Sequence, residues 1–327
     1  MSARVITACD VGFIFKIRLL GEFSVQRNER EIEWFPSAKA KELFCYLLLH
    51  RDRSHSREVL ASLLWGDCPT SQSKKYFRQT LWQLQQMLHW DLARNVTRLL
   101  RVDDESLRLD SQPRLWLDSA VFEQAFVPVR GVAGEQINEQ QARVLHDAVS
   151  LYKGDLLEGH YQDWCLFHRE RLQNIYTAML DKLMGYCEVR RKFEEGMAHG
   201  ELLLRQDQAR ERTYRRLIRL YYLAGDRAGA IRQFQRCETA LEQELGVPPS
   251  RRTLELYNQV RTDKLETDSV APGPLRKSSA GEISKSLTRL RAIRSLLLKV
   301  QRGLDRDIRE VDRALSPNLH TFDSARH

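Results

Sequence analysis

No stretch of this sequence approaches the roughly 20 consecutive apolar residues that a membrane-spanning helix needs, so a helical bilayer span is excluded. Cysteine is sparse and scattered. Cys9, Cys45, Cys68, Cys165, Cys187 and Cys237 form no CxxC pair and no Cys/His spacing of a zinc site. The chain is also too long and core-rich to depend on disulfides, so these read as buried thiols of a reducing cytoplasm. The signatures GxSxG, HExxH and GxGxxG are missing, which removes the common routes to an enzyme, a metal or a cofactor. The histidines are dispersed, and His50, His55, His160 and His168 read as loop or surface residues. The opening "MSARVITACDVGFIFKIRLLGEF" is apolar but alternates, and Lys16 and Arg18 break it; it reads as a strand and not as a signal peptide.

One absence is local. Between Ser71 and Trp90 the chain reads "SQSKKYFRQTLWQLQQMLHW", with two lysines, one arginine, five glutamines and no Asp or Glu, in a protein that is 29% charged. From Cys68 to Val102 the basic residues are Lys74, Lys75, Arg78, Arg94, Arg98 and Arg101, against Asp91 alone. The whole chain carries +8. A basic balance points towards a polyanionic partner, though many basic proteins have none.

At roughly 100–200 residues per domain, 327 residues suggest two or three domains. Residues 13–34 alternate as strands do, with Gly21 and "RNER" as breaks. After Pro36 the period becomes helical: Ala40, Leu43, Phe44, Leu47 and Leu48 share a face, with Ser37 as N-cap. Ser56 opens a second helix with Val59, Leu60, Leu63 and Leu64 facing inward. The acid-free stretch is a third helix, about 72–88. Two short alternating runs around "DDES" then form a hairpin. Strands, three helices and a hairpin are the order of a winged helix-turn-helix, expected over residues 13–120.

After "PVRGVAGEQ", expected as a linker, residues 139–262 read as helical with a 34-residue period. Leu180 falls on Tyr214, Leu183 on Leu217, Gly196 on Ala230 and Leu203 on Cys237. This is the period of tetratricopeptide units. Further helices are expected at about 141–153, 162–178 and 250–262. Residues 267–281 turn to Ser, Pro, Gly and Ala, a flexible linker. Residues 282–315 then form an amphipathic helix with Leu290, Leu297, Leu304 and Val311 at heptad spacing, which suggests a homodimer. The expected fold class is mainly α: an α+β winged helix, an all-α tetratricopeptide-like array and a C-terminal amphipathic helix.

At about 100° per residue, Phe77, Leu81, Leu84 and Leu88 form the core face of the third helix. Lys75, Gln79, Trp82 and Gln86 lie opposite, flanked by Lys74, Arg78, Gln83 and Gln85. A helix that faces water gains from acid–base pairs four residues apart. A phosphate-lined groove instead penalises carboxylates and rewards Lys and Arg. Glutamine reads adenine, and Arg or Lys reads guanine, in the major groove. The candidate DNA contacts are Lys74, Lys75, Arg78, Gln79, Gln83 and Gln86, with Arg101 and Arg108 on the hairpin strands reaching phosphates. Trp82 is expected to be half-buried against the domain's own strands; the alternative is that it packs against the wing or a thymine methyl. The competing reading is a solvated helix on a tetratricopeptide scaffold that binds protein and no specific DNA.

The motifs "LLGEFSV", "KAKELFCYLLLHRDRSHSREVLASLLWGD" and "SKKYFRQTLWQLQQML" resemble the OmpR-like winged helix of the bacterial SARP/AfsR-type regulators. The segments "HYQDWCLFHRERL" and "LIRLYYLAGDRAGAIRQFQRCETALEQELGVPPS" resemble the bacterial transcriptional activation domain that follows it in that family. The resemblance covers about residues 14–262. It implies a cytoplasmic transcription factor, commonly an activator, with promoter DNA and RNA polymerase as partners. It also implies that the recognition role falls on Lys75, Arg78, Gln79, Gln83 and Gln86. The wing turn here is "DDES", where relatives usually have a Gly-aromatic turn. There is no P-loop, so the ATP-driven control of larger relatives is not implied. About a dozen residues precede the first strand, so no receiver domain is expected.

Overall fold

A computed structural model of the protein describes residues 15–27, 29–32, 35–88, 99–110 and 115–265. The linker expected at 267–281 and the helix expected at 282–315 lie outside these residues, as do Arg94 and Arg98.

The alternation seen in the sequence builds β1 (Phe15–Arg18), with Phe15 and Ile17 buried and Arg18 exposed. It pairs antiparallel with β2 (Ser24–Arg27), Ile17 opposite Val25, and β2 pairs with β3 (Arg30–Glu31). The helical period then gives α1 (Ala38–Leu49), where Ser37 Oγ accepts the Ala40 N–H at 3.1 Å. Next come β4 (His55–Ser56), α2 (Arg57–Leu64) and α3 (Thr70–Leu88). The hairpin β5 (Leu100–Val102) and β6 (Ser106–Leu109) joins β4 in a three-stranded sheet of order β4-β6-β5. This is a helix-turn-helix with a wing. One detail of α2 differs from expectation. Leu60 and Leu64 are buried with Ala61 where α2 packs on α1 and α3, but Val59 and Leu63 fall on the exposed side of the helix.

Two elements go beyond the sequence expectation. Strand β7 (Leu115–Leu117) runs parallel to β1 and completes a sheet of order β3-β2-β1-β7. Helix α4 (Asp118–Phe126) leaves it directly. Residues 128–136, expected as a linker, fall largely in two 3-10 turns, Val127–Val129 and Gly134–Gln136. They pack on the helical array so closely that a Cβ on Gly134 would sit 2.5 Å from the Lys182 carbonyl oxygen.

The array itself comprises α5 (Glu139–Leu151), α6 (Asp163–Val189), α7 (Phe193–Gln206), α8 (Glu211–Leu223), α9 (Arg227–Leu245) and α10 (Arg251–Arg261). Helix α6 is continuous over 27 residues, where the sequence suggests a break after 178. Within the array Tyr176, Tyr186 and Tyr214 are buried, and Tyr152 stacks on Tyr176 at 4.2 Å. One hydrophobic core runs from Phe15 on β1 to Leu241 on α9 and so spans the winged helix and the array.

That junction is hydrogen-bonded as well as apolar. Leu20 bridges to Leu156, Leu157 N–H donates to the Leu19 carbonyl and Gly21 N–H donates to the Asp155 carbonyl, both at 2.9 Å. The buried Asp118 carboxylate accepts the backbone N–H groups of Leu19 and Leu20 at 2.9 Å. Burial raises its pKa against the lowering effect of those bonds. Arg169 of α6 donates to the carbonyls of Leu156, Leu157 and His160 and holds the other side of the seam.

Candidate DNA-binding surface

Helix α3 is positioned by the residues that its period predicts. Phe77, Leu81, Leu84 and Leu88 are buried, with Ser73 and Thr80 beside them. The opposite side is open: Lys74, Lys75, Arg78, Gln79, Trp82 and Gln86 are all exposed. Trp82 is 60% exposed, which corrects the expectation that the domain half-buries it. Its helical phase, not its size, decides where it points.

Two candidates are engaged elsewhere. Lys74 Nζ lies 2.5 Å from Glu58 Oε1 on α2, and that ion pair holds the Glu58 carboxyl below its ordinary pKa. The face of α3 is acid-free in sequence, yet a neighbouring helix brings one carboxylate to its N-terminal edge. Gln83 is half-buried, and Ser37 Oγ lies 3.4 Å from its Oε1. Among the described residues, Lys75, Arg78, Gln79, Trp82 and Gln86 thus form the face that has no side-chain partner elsewhere.

The wing contributes less. Arg101 and Arg108 are exposed and directly opposite each other across β5 and β6. Arg101 also meets Asp110 at 3.4 Å. The turn residues Asp103, Asp104 and Glu105 are exposed and acidic. Arg57, at the start of α2, donates to the carbonyls of Asp103 and Asp104 and fixes the turn against the helix. A phosphate backbone would be repelled by the tip and attracted by the two arginines behind it.

Where the winged helix meets α6 there is an aromatic cluster that no sequence motif announces. Tyr46 of α1 packs edge-on against Trp164 at 5.5 Å, and His50 against His168 at 4.8 Å. His55, expected at the surface, is buried. Burial pushes the His50 pKa down to about 4, helped by His168 and Arg53, and also lowers His55 and His168. Among the described residues no group of three or more His, Cys, Asp or Glu is placed to hold a metal ion. No helix there is long and apolar enough to cross a membrane.

A three-helix unit with a winged sheet, fused to a helical array, defines the class by fold: a winged helix-turn-helix joined to a helical-repeat array. Residues 117–261 match the family described as "Bacterial transcriptional activator domain". The chain also superposes on a structure described as Mycobacterium tuberculosis EmbR in complex with a low-affinity phosphopeptide. The TM-score is 0.57 at 20% identity, covering 77% of this chain and 66% of that one. This chain thus spans slightly less than two thirds of that protein's length. No curated protein matches. Residues 117–261 are thus similar to a bacterial transcriptional activator domain, and the likeness to the EmbR structure is one of fold.

Proposed function

We propose that the protein is a sequence-specific DNA-binding transcriptional activator whose α3 enters the major groove. The observation that supports this is the outer face of α3. Lys75, Gln79, Trp82 and Gln86 are exposed together opposite a buried stripe, with exposed Arg78 flanking them and no carboxylate on the face itself. Cations there release counterions from phosphates, and the amides and cations match base edges. Arg101 and Arg108 add phosphate contacts from the wing strands. The array supplies the surface for RNA polymerase. Its seam with the winged helix sets where that surface stands relative to the promoter.

The test is selection of duplexes from a random pool by the full-length chain. Enrichment of a defined sequence is expected. A pool that stays random after repeated rounds contradicts the reading and favours a protein-binding scaffold.

A further inference from the structure

Among the described residues of α3, Trp82 is the largest apolar side chain left in solvent. At about 100° per residue, Lys75, Gln79, Trp82 and Gln86 fall within an arc of about 60°, centred opposite the buried stripe. Whatever surface α3 lies against therefore covers Trp82 early. The neighbours limit what that surface is. The face carries cations and amides with no acid of its own, and Glu58, the acid that reaches its edge, is tied to Lys74. A polyanion fits this charge pattern.

An indole offers one N–H donor and is otherwise apolar. The edges of base pairs in the major groove are almost wholly polar, and their distinctive apolar group is the thymine C5 methyl. Gln79 and Gln86 flank the ring one turn to either side and carry the amide that pairs with adenine N6 and N7. We propose, resting on the reading of α3 as the DNA-contacting helix, that Trp82 reads an A·T base pair by packing its indole against the thymine methyl. Trp82 is then a specificity residue beside the amides and cations of the same face.

The probe is a duplex enriched by the full-length chain from a random pool, resynthesised with deoxyuridine replacing one thymine at a time. Each replacement deletes a single methyl group. The wild-type chain should lose about fourfold in affinity at one position, the factor expected for one buried methyl. Trp82→Ala should bind the parent duplex more weakly and show no difference between thymine and deoxyuridine at that position. Trp82→Phe should keep part of the difference. Each variant is compared with itself on two duplexes, so any change in folded fraction cancels. The inference is overturned if Trp82→Ala discriminates as wild type does, or if wild type shows no methyl dependence at any position. An enriched duplex with either result leaves the DNA-binding reading standing. Failure to enrich any duplex overturns both.

Discussion

Among the described residues Lys75 and Arg78 make no ion pair, while Gln83, on the same helix and of the same chemistry as Gln79, is turned towards Ser37, the N-cap of α1. The two glutamines should therefore separate in a binding assay. Gln79→Ala should cost about 1–3 kcal/mol of binding if it reads a base, and Gln83→Ala markedly less; gel-shift titration on an enriched duplex measures both. Asp118 is legible only in three dimensions. Its carboxylate closes backbone donors nearly a hundred residues earlier in the chain. Asp118→Ala leaves those buried N–H groups unpaired and should destabilise the fold by at least about 2 kcal/mol. Asp118→Asn keeps one acceptor and should lose less, as thermal or urea unfolding will show. The buried stripe of α3 is readable from spacing alone. Trp82 departs from expectation because its helical phase outweighs tryptophan's general preference for burial. The Lys74–Glu58 pair is invisible in the sequence because it joins two helices.

Helices with a clear apolar period are legible: α1, α2 and α3 lie close to where the sequence puts them. Strand β7 is not, because it is three residues long and its partner β1 lies about a hundred positions away. Helix α6 runs on past the repeat boundary because the sequence has no helix breaker there; its first glycine is Gly185. Residues 128–136 carry Pro128, Gly131 and Gly134 and so read as a linker, yet Gly134 marks a tight approach to the backbone of α6. Gly134→Ala should force that segment off α6 and cost about 1–3 kcal/mol. An unchanged melting temperature would show that the segment does not pack as described.

The continuous core and the hydrogen-bonded seam make the winged helix and the array one body, which the sequence does not reveal because the seam is built from residues far apart in the chain. His50, His55 and His168 sit in that seam, with pKa values below the ordinary 6.5 because of burial and of neighbouring histidine and arginine charges. The unfolded chain thus binds more protons between about pH 6.5 and 4 than the folded one. Stability is fully present above about 6.5 and is lost as pH falls towards 4. Unfolding at pH 7.5 and 5.0 should show this loss. The triple variant His50→Gln, His55→Gln, His168→Gln should flatten it. The largest question at this scale is whether α3 meets DNA. Affinity for an enriched duplex should be measured against salt for the wild-type chain and for Lys75→Ala combined with Arg78→Ala. Wild-type affinity should fall steeply with salt. The double variant should bind far more weakly, with a slope shallower by about 0.9 for each phosphate that is no longer neutralised. Equal affinity and equal slope for the two proteins would contradict DNA recognition by α3.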